Sequence, residues 1–219
     1  MKDLRGIKGK YYIASLIEQG EHEHQDFKFA VSDARKIARS ISAFANNDGG
    51  RLLIGVKDNG VIAGVRNEED IYVVEQAAEM YCLPAQTIEV TAFRCEGGLT
   101  VMRVTIAKAT ERPVHVKDSD GQLKAYYRVA DEHIVAPALM VESWRRATSQ
   151  GYAYTPTPHT TRLLAMAARK GGVSIDDFMV DVHLSRAAAE ELALSLCGMG
   201  LVEFTYDGTR FTLTERSPE

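Results

Sequence analysis

The segment at residues 21–29, EHEHQDFKF, places three acidic residues, two histidines and a lysine close together in the chain. Carboxylates of this kind bind Mg²⁺ or Mn²⁺, and these ions stabilise the attacking and leaving oxygens when a phosphodiester is cleaved. His22 and His24 could share a strand face and bind a transition metal, but no third or fourth ligand is evident nearby. Three interpretations therefore stay open: a metal site, a catalytic acid cluster and a solvated edge strand.

The spacing of these residues limits how they can act together. Glu21 and Asp26 are five residues apart, so in a regular strand their side chains point to opposite faces. They can converge only if the chain bends between them, and we expect that bend at residues 20–24. Lys28 follows Asp26 by two residues and shares its face, where its ammonium group could contact a phosphate or pair with a carboxylate.

The apolar periodicity predicts the elements that position this segment. Residues 11–19 (YYIASLIEQ) have helical spacing and end before Gly20, a suitable helix C-terminal cap. A strand is predicted from about Asp26. Residues 33–47 (DARKIARSISAFANN) form a helix with one apolar stripe, and its polar face is basic.

Five cations are candidates for a nucleic-acid-binding patch. Three come from the basic helix face, one from a strand start and one from a later strand: Arg35, Lys36, Arg39, Arg51 and Arg128. The alternative is an ordinary solvated helix face, which composition alone favours. The net charge of −4 argues against a broad nucleic-acid-coating surface, because neutralising phosphates requires clustered Lys and Arg. A nucleic-acid partner must therefore be held by a local patch.

Residues 48–65 (DGGRLLIGVKDNGVIAGV) carry the clearest local pattern. Residues 51–57 are predicted as a strand, Asn59-Gly60 as a type I′ turn, and residues 61–65 as the returning antiparallel strand. The double glycine allows the backbone to leave the preceding helix with positive φ and to pack closely. A P-loop requires G-x-x-x-x-G-K-[ST], which does not occur in the sequence, so no ATP site is expected.

The remaining pattern predicts two domains. An amphipathic helix, two strands at residues 87–94 and 100–107, the strand KAYYRVA and a helix with Trp144 complete an α+β domain over residues 1–149, with a mostly antiparallel sheet. Residues 150–159 read as a linker. Residues 160–219 contain three predicted helices and a hairpin at Asp207-Gly208, the arrangement of a winged helix-turn-helix domain.

The charge of this second domain favours protein contacts over DNA reading. From residue 159 to residue 219, six Lys or Arg face nine Asp or Glu, a net charge of −3. The predicted recognition helix, SRAAAEELALSLCGMG, has one arginine and is otherwise rich in alanine. Helices that read DNA present Arg, Lys, Asn or Gln to the bases and have basic flanks. We therefore expect a protein-contact or dimerisation role.

The runs GEHEHQDFK, SAFANNDGGRLLIGVKDNGVIAGV and AYYRVA together resemble the Schlafen-type AlbA-like domain family. The resemblance covers about residues 11–137 and includes an acidic-x-x-x-x-acidic-x-Lys start, an AFAN core with a double glycine, and a closing Y-x-R-V strand. The sequence departs from the family pattern in three places, with Asp26 for Glu, Asn47 for Thr, and Ala130 for Gly.

The resemblance implies two activities. Some Schlafen proteins are metal-dependent endoribonucleases with three acidic residues, which align with Glu21, Asp26 and Asp58. This implies a Mg²⁺ or Mn²⁺ site at these three residues, with Lys28 beside it as a further catalytic residue. By chemistry alone, Asp58 at the start of an Asn-Gly turn is better explained as a turn-stabilising side chain. Many bacterial relatives are described as DNA-binding regulators or ATP-binding proteins, and the paired lobes of larger Schlafen proteins imply a possible homodimer.

Composition sets the final limits. The longest apolar runs are far shorter than a membrane span, and the cysteines, Cys82, Cys95 and Cys197, fit neither a zinc site nor a disulfide framework. We expect a cytoplasmic protein without a membrane partner. The leading hypothesis is a nucleic-acid-binding (DNA or RNA) regulator of transcription. The alternatives are a metal-dependent endoribonuclease acting on structured RNA and a protein–protein assembly module.

Overall fold

A five-stranded mixed sheet lies at the centre of the N-terminal unit in the computed structural model, which describes residues 7–65, 69–147 and 155–216. This unit spans residues 1–136. In chain order its elements are β1 (Ile7–Lys8), α1 (Lys10–Glu18), β2 (Gln25–Lys28), α2 (Ala34–Asn46), β3 (Gly50–Ile54), α3 (Glu69–Gln76), β4 (Cys82–Leu83), β5 (Ile88–Arg94), β6 (Thr100–Ile106), β7 (His115–Lys117), β8 (Leu123–Val129) and β9 (Glu132–Val135). A π-helical turn, Ala77–Tyr81, continues α3.

The strand order of this sheet is β1-β5-β6-β3-β2. The inner pairs β5–β6 and β6–β3 are antiparallel, whereas β1 and β2 pair in parallel at the two edges. A second sheet, β4-β7-β8-β9, is antiparallel throughout. The prediction of an α+β fold with mostly antiparallel strands is confirmed.

Helix α2 is the element on which both sheets depend. Its apolar face, including Ile37, Ile41 and Phe44, is buried in the larger core with Leu52 and Ile54 of β3. The side chain of Asp33 caps its first turn by accepting from the N–H of Arg35. The helix is therefore fixed at its start by a cap and along its length by core packing.

Two buried asparagines fix the end of α2. The amide of Asn46 donates to the carbonyls of Val114 and Tyr126, and its oxygen accepts from the N–H of Val114. Asn47 exchanges two hydrogen bonds with the backbone of Arg128. These side chains take the place of strand partners for the second sheet, which explains why the sequence AFANN ends this helix.

The double glycine after α2 has the predicted role. Gly49 has φ of 78°, and a Cβ there would lie 2.8 Å from the carbonyl oxygen of Ile106. A Cβ at Gly50 would overlap the ring of Phe44. The chain therefore leaves the helix and enters β3 with no room for side chains at either position.

The predicted hairpin after β3 forms a different turn. Lys57 accepts at its carbonyl from the N–H of Gly60 and donates its own N–H to Val61, so Asp58 and Asn59 are the central residues. Gly60 has φ of 80°, whereas φ of Asn59 is not positive. A type I′ turn at Asn59-Gly60 is therefore wrong, because it requires positive φ at both residues. The returning segment makes an isolated bridge between Val56 and Ile62 instead of a strand.

The C-terminal unit spans residues 137–219. It contains α4 (Ala138–Ala147), α5 (Pro158–Ala167), α6 (Ile175–Val182), α7 (Arg186–Gly198), and the antiparallel pair β10 (Val202–Tyr206) and β11 (Phe211–Glu215). The side chains of Thr157, Ser174 and Ser185 cap α5, α6 and α7. The three helices and the hairpin predicted for residues 160–219 are present, and their classification as a winged helix stays a prediction.

Helix α4, which contains Trp144, packs against α7 and belongs to this second unit. The sequence assigned it to the first domain, because its apolar periodicity does not say which core it faces. Half of the predicted linker, residues 150–154 of 150–159, lies outside the described residues. In the part of the chain that the structure describes, no helix has the length and hydropathy to cross a membrane.

Candidate functional site

A tight turn before β2 brings Glu21 back to the strand. Gly20 has φ of 70°, and His22 and Gln25 exchange two backbone hydrogen bonds across the turn. Glu21 Oε1 then accepts from the backbone N–H of Phe27 at 2.8 Å. The chain thus bends where the sequence predicted, and the bend places the Glu21 carboxyl group beside Asp26.

Asp26 is buried among cations. Its side chain is 4% exposed, its Oδ2 lies 2.7 Å from Lys28 Nζ, and its Oδ1 lies 3.7 Å from Arg128 Nη2. Ser40 Oγ of α2 donates weakly to Oδ2 at 3.5 Å. Burial alone would raise the pKa of Asp26, but the hydrogen bond with Glu21 and the charges of Lys28 and Arg128 hold this pKa below its ordinary value.

The pKa of Glu21 shifts in the opposite direction to that of Asp26. Partial burial raises the pKa of its carboxyl group, and the hydrogen bond with Asp26 raises it further. As the pH falls, Glu21 therefore takes up a proton before Asp26, and the two carboxyl groups share that proton. The pair can hold a proton and position Lys28, which is half-buried at the surface end of the cluster.

Arg128 is fully buried, with 0% of its side chain exposed. It donates from Nε to the carbonyl of His22 and from Nη2 to the carbonyl of Gln25, and its guanidinium group lies over the ring of Phe44. The predicted phosphate-facing role is therefore wrong for Arg128. Its position makes it a support for the turn before β2 and a counter-charge for Asp26.

His133 of β9 completes the buried cluster. Arg128 Nη1 donates to His133 Nε2 at 2.6 Å. Because a guanidinium group has no acceptor, Nε2 must be unprotonated, and the imidazole is neutral in this contact. Burial, together with the charges of Arg128 and Lys28, lowers the pKa of His133 to about 4. Nothing in the sequence around His133 indicates its place in the site, because only the β8–β9 pairing of Arg128 with His133 brings it there.

The cluster also saturates the free edge of β2. In a parallel pair, alternate residues turn their backbone groups outward, and on β2 these are Gln25 and Phe27. Gln25 is bonded to His22 and Arg128, while Phe27 donates to Glu21 and accepts from Lys28. The side chains of Glu21, Lys28 and Arg128, with the backbone of His22, thus bond the outward backbone groups that an edge strand leaves open.

Asp58 does not join the other two predicted acids. It is exposed and is a central residue of the turn after β3. Within the described ranges, no group of three or more His, Cys, Asp or Glu side chains is arranged to hold a metal ion. The sequence resemblance implies Mg²⁺ or Mn²⁺, but the donor set does not fit either ion. Asp26 already contacts two cations, and Glu21 already accepts from a backbone N–H.

The ring nitrogens of His22 and His24 form hydrogen bonds with backbone groups. His22 Nδ1 lies 3.2 Å from the N–H of His24, and His24 Nδ1 lies 3.1 Å from the carbonyl oxygen of Gly49. Burial lowers the pKa of His22, and the charge of Arg51 acts in the same direction. These contacts explain the histidines as part of the turn.

A basic cavity of about 420 Å³ lies next to the buried cluster. It is lined by residues of β2, α2, β8 and β9: Lys28, Lys36, Arg39, Ser40, Tyr126, Glu132 and His133. Arg39 lies over the Tyr126 ring and pairs with Asp118, which also pairs with Lys124. Lys36 is exposed and has no ion pair among the described residues. The positive charges around the cavity therefore outnumber the negative ones.

Two other predicted cations lie apart from the cavity lining. Arg35 is exposed on α2, one residue before Lys36, and its guanidinium group lies over the ring of Tyr81. Arg51 is bonded to the side-chain oxygens of Gln25 and Gln19 and lines a different cavity. Of the five predicted cations, Lys36 and Arg39 therefore line the basic cavity, and Arg35 extends that surface along α2.

The fold and this cluster define a mixed α+β domain whose acidic-lysine motif closes the edge of its main sheet. A family model described as Schlafen, AlbA_2 matches residues 21–136, more than half of the 219-residue chain. The chain therefore belongs to the Schlafen AlbA_2 family.

Solved structures give more distant likenesses. The DIP2311 protein from Corynebacterium diphtheriae is 22% identical over 87% of this chain, with a TM-score of 0.46, and this chain covers 34% of its length. The N-terminal domain of a RecG-related protein from Nitrosomonas europaea is 23% identical over 60% of this chain and 96% of its own, with a TM-score of 0.41. No curated protein matches the chain. Because the identities and TM-scores are this low, the two structures give no evidence about activity.

Proposed function

We propose that the N-terminal unit binds nucleic acid through the basic face of α2 and the cavity beside it. The observation that carries this proposal is the cavity of about 420 Å³ with Lys28, Lys36 and Arg39 in its wall. Phosphate groups are neutralised by clusters of Lys and Arg, and an open cavity of this size admits a phosphate and its sugar. Family membership supports the proposal, since the sequence resemblance implies nucleic-acid binding.

The local charge supports binding despite the acidic chain. Around the cavity, five cations (Lys28, Arg35, Lys36, Arg39 and Lys124) stand against three acids (Asp26, Asp118 and Glu132). The surplus is therefore two positive charges, in a chain whose net charge is −4. A surplus of this size suits a short contact with a few phosphates rather than wrapping of a long duplex.

We further propose that the protein acts as a regulator of transcription, in which the C-terminal unit contacts protein. Its arginines are largely taken up by acids within the unit. Arg162 pairs with Asp181, and Arg146 pairs with Glu191. Arg186 pairs with Asp176, and Arg210 pairs with Asp177. Each of these arginines has a carboxylate of its own, so the pairs leave no surplus charge for a phosphate, whereas Arg39 and Lys124 at the cavity share the single carboxylate of Asp118.

A salt titration of nucleic-acid affinity tests the main proposal. Fluorescence anisotropy with a short DNA duplex and a structured RNA should show an affinity that falls steeply as salt rises from about 50 mM. In the variant Arg35→Gln/Lys36→Gln/Arg39→Gln, the log–log slope should become shallower by about one for each phosphate that the protein no longer neutralises. The matched control is Arg162→Gln/Arg186→Gln/Arg210→Gln, which removes three paired arginines from the C-terminal unit and should keep the wild-type slope.

Three results would contradict the proposal. Equal salt slopes in wild type and the α2 variant would show that the basic face of α2 does not contact phosphates. A weakening confined to the control variant would move binding to the C-terminal unit. Absence of binding at low salt would favour the assembly role.

The same RNA should stay intact with Mn²⁺ present, and cleavage that disappears in Asp58→Ala would restore the three-carboxylate site that the described residues do not form.

A further inference from the structure

The main sheet has a second polar surface, on the face opposite α2. Leu52 and Ile54 of β3 face α2, so Arg51 and Leu53 point to the other side. Helix α1 covers the part of this face around Leu53 with Ile13 and Leu16. The rest of the face carries polar side chains, and a cavity of about 390 Å³ lies over it.

Two arginines are placed to act together in this cavity. Arg51 of β3 lies directly opposite Thr105 of β6, and Arg103 is two residues from Thr105 on the same face. Residues in this diagonal relation have Cα atoms about 7–8 Å apart, within reach of long side chains. Both arginines and Thr105 line the same cavity, so an anion held there has two guanidinium groups and a hydroxyl group in the wall around it.

Each guanidinium group is held in place. Arg51 donates at 2.7 Å to the side-chain oxygens of Gln25 and Gln19, which are neutral and leave its charge uncompensated. Arg103 lies over the rings of Tyr12 and Phe93 and donates to the Tyr12 hydroxyl group. The buried Nε of Arg103 has no hydrogen-bond partner among the described residues. Both groups are thus oriented before any ligand arrives.

The acids near the cavity do not cancel these charges. Glu89 is 73% exposed and lies 3.9 Å from Arg103, a distance that gives a weak surface pair. Asp48 also lines the cavity but pairs with Lys108 at 2.7 Å. The hydrogen bond with Lys108 holds the pKa of Asp48 below its ordinary value, so the pair stays neutral overall.

We propose that this cavity binds a phosphate group between Arg51 and Arg103. The group could come from a small phosphate ester such as a mononucleotide or from the backbone of a nucleic acid, and the chemistry of recognition is the same. A volume of about 390 Å³ accommodates a mononucleotide. This site is separate from the α2 surface and does not depend on it.

Side-chain NMR on ¹⁵N-labelled full-length protein tests the site. Titrations use inorganic phosphate, adenosine 5′-monophosphate, and a single-stranded oligonucleotide without terminal phosphates. The Nε–H signals of Arg51 and Arg103 should shift and saturate with at least one probe. Arg103→Gln and Arg51→Gln should each weaken that binding about tenfold or more. Arg94→Gln on the opposite face of β5 is the matched control and should bind as wild type.

The outcomes separate this site from the proposed nucleic-acid surface. Binding of the small phosphates that survives in the α2 triple variant supports the new site, even if that variant no longer binds nucleic acid. Binding of the oligonucleotide alone assigns the site to a backbone phosphate. Absence of all binding, or equal weakening in Arg94→Gln, would overturn the proposal. Because Arg51 also bonds two glutamines, Arg51→Lys is measured beside it. This variant keeps the charge and should retain part of the affinity if the fold is intact.

Discussion

His133 should make the N-terminal unit sensitive to mild acid. Its pKa is about 4 in the folded chain, because the half-buried imidazole is desolvated and accepts from Arg128, and it is about 6.5 in an unfolded chain. Between these values the unfolded state binds more protons than the folded state, so stability rises with pH. Stability is therefore lost as the pH falls through this window.

The size of the effect follows from the two pKa values. One pKa unit corresponds to about 1.4 kcal/mol. Between about pH 7.5 and about pH 5, the unfolded histidine becomes almost fully protonated while the folded one stays neutral. The free energy of unfolding of this unit should therefore fall by about 2 kcal/mol from this residue alone.

Urea unfolding at the two pH values measures this loss. Amide NMR signals of β8 report on the N-terminal unit. The only tryptophan, Trp144, lies in the C-terminal unit, so its fluorescence follows that unit separately. His133→Gln keeps a neutral acceptor for Arg128 and should remove most of the pH dependence. His159→Gln makes the same replacement at an exposed position in the C-terminal unit, and β8 in this variant should keep the wild-type loss.

Two results would refute the reasoning. If wild type and His133→Gln lose the same stability between these pH values, the buried imidazole does not carry the effect. If the ring signals of His133 titrate near its ordinary pKa, the residue is not held neutral by burial and Arg128.

Three further changes test the packing around the site. Asn46→Ala leaves buried backbone groups of Val114 and Tyr126 without its hydrogen bonds and should cost the N-terminal unit about 3 kcal/mol or more in urea unfolding; a loss below about 1 kcal/mol would contradict this role. Gly50→Ala pushes a methyl group into the ring of Phe44 and should cost about 1–3 kcal/mol, with partial recovery when Phe44→Leu is added. Arg128→Met leaves the buried carboxylate of Asp26 with Lys28 but without Arg128 and removes the hydrogen bonds to the carbonyls of His22 and Gln25, so it should cost about 3–5 kcal/mol, while the double variant with Asp26→Asn should cost less. An equal or larger loss in the double variant would count against the ion pair.

Local features were predictable from the sequence because short-range physics determines them. The apolar stripe of α2, the bend at Gly20 and the close packing at Gly49-Gly50 each depend on residues a few positions apart. The convergence of Glu21 with Asp26 was predictable for the same reason, since only one turn had to be placed.

Long-range features were not predictable in this way. Arg128 bonds to His22 across 106 residues, and nothing in the motif around Arg128 shows that its side chain is buried instead of exposed. Asp58 was grouped with the other acids by alignment, but the turn after β3 sets its direction. Helix α4 has a clear apolar face, but only the folded chain shows that α7 covers it.

The closed edge of β2 limits how copies of this chain can associate. A sheet can extend from one molecule to the next only where an edge strand offers unbonded N–H and C=O groups. Here the side chains of Glu21, Lys28 and Arg128, together with the backbone of His22, already bond those of Gln25 and Phe27. A homodimer that joined two sheets at this edge would first have to break an ionic cluster buried in each copy. The residues that suggest catalysis or phosphate binding in the sequence thus act against intermolecular strand pairing, and we expect a chain lacking the Arg128 guanidinium group to be the variant most prone to aggregate.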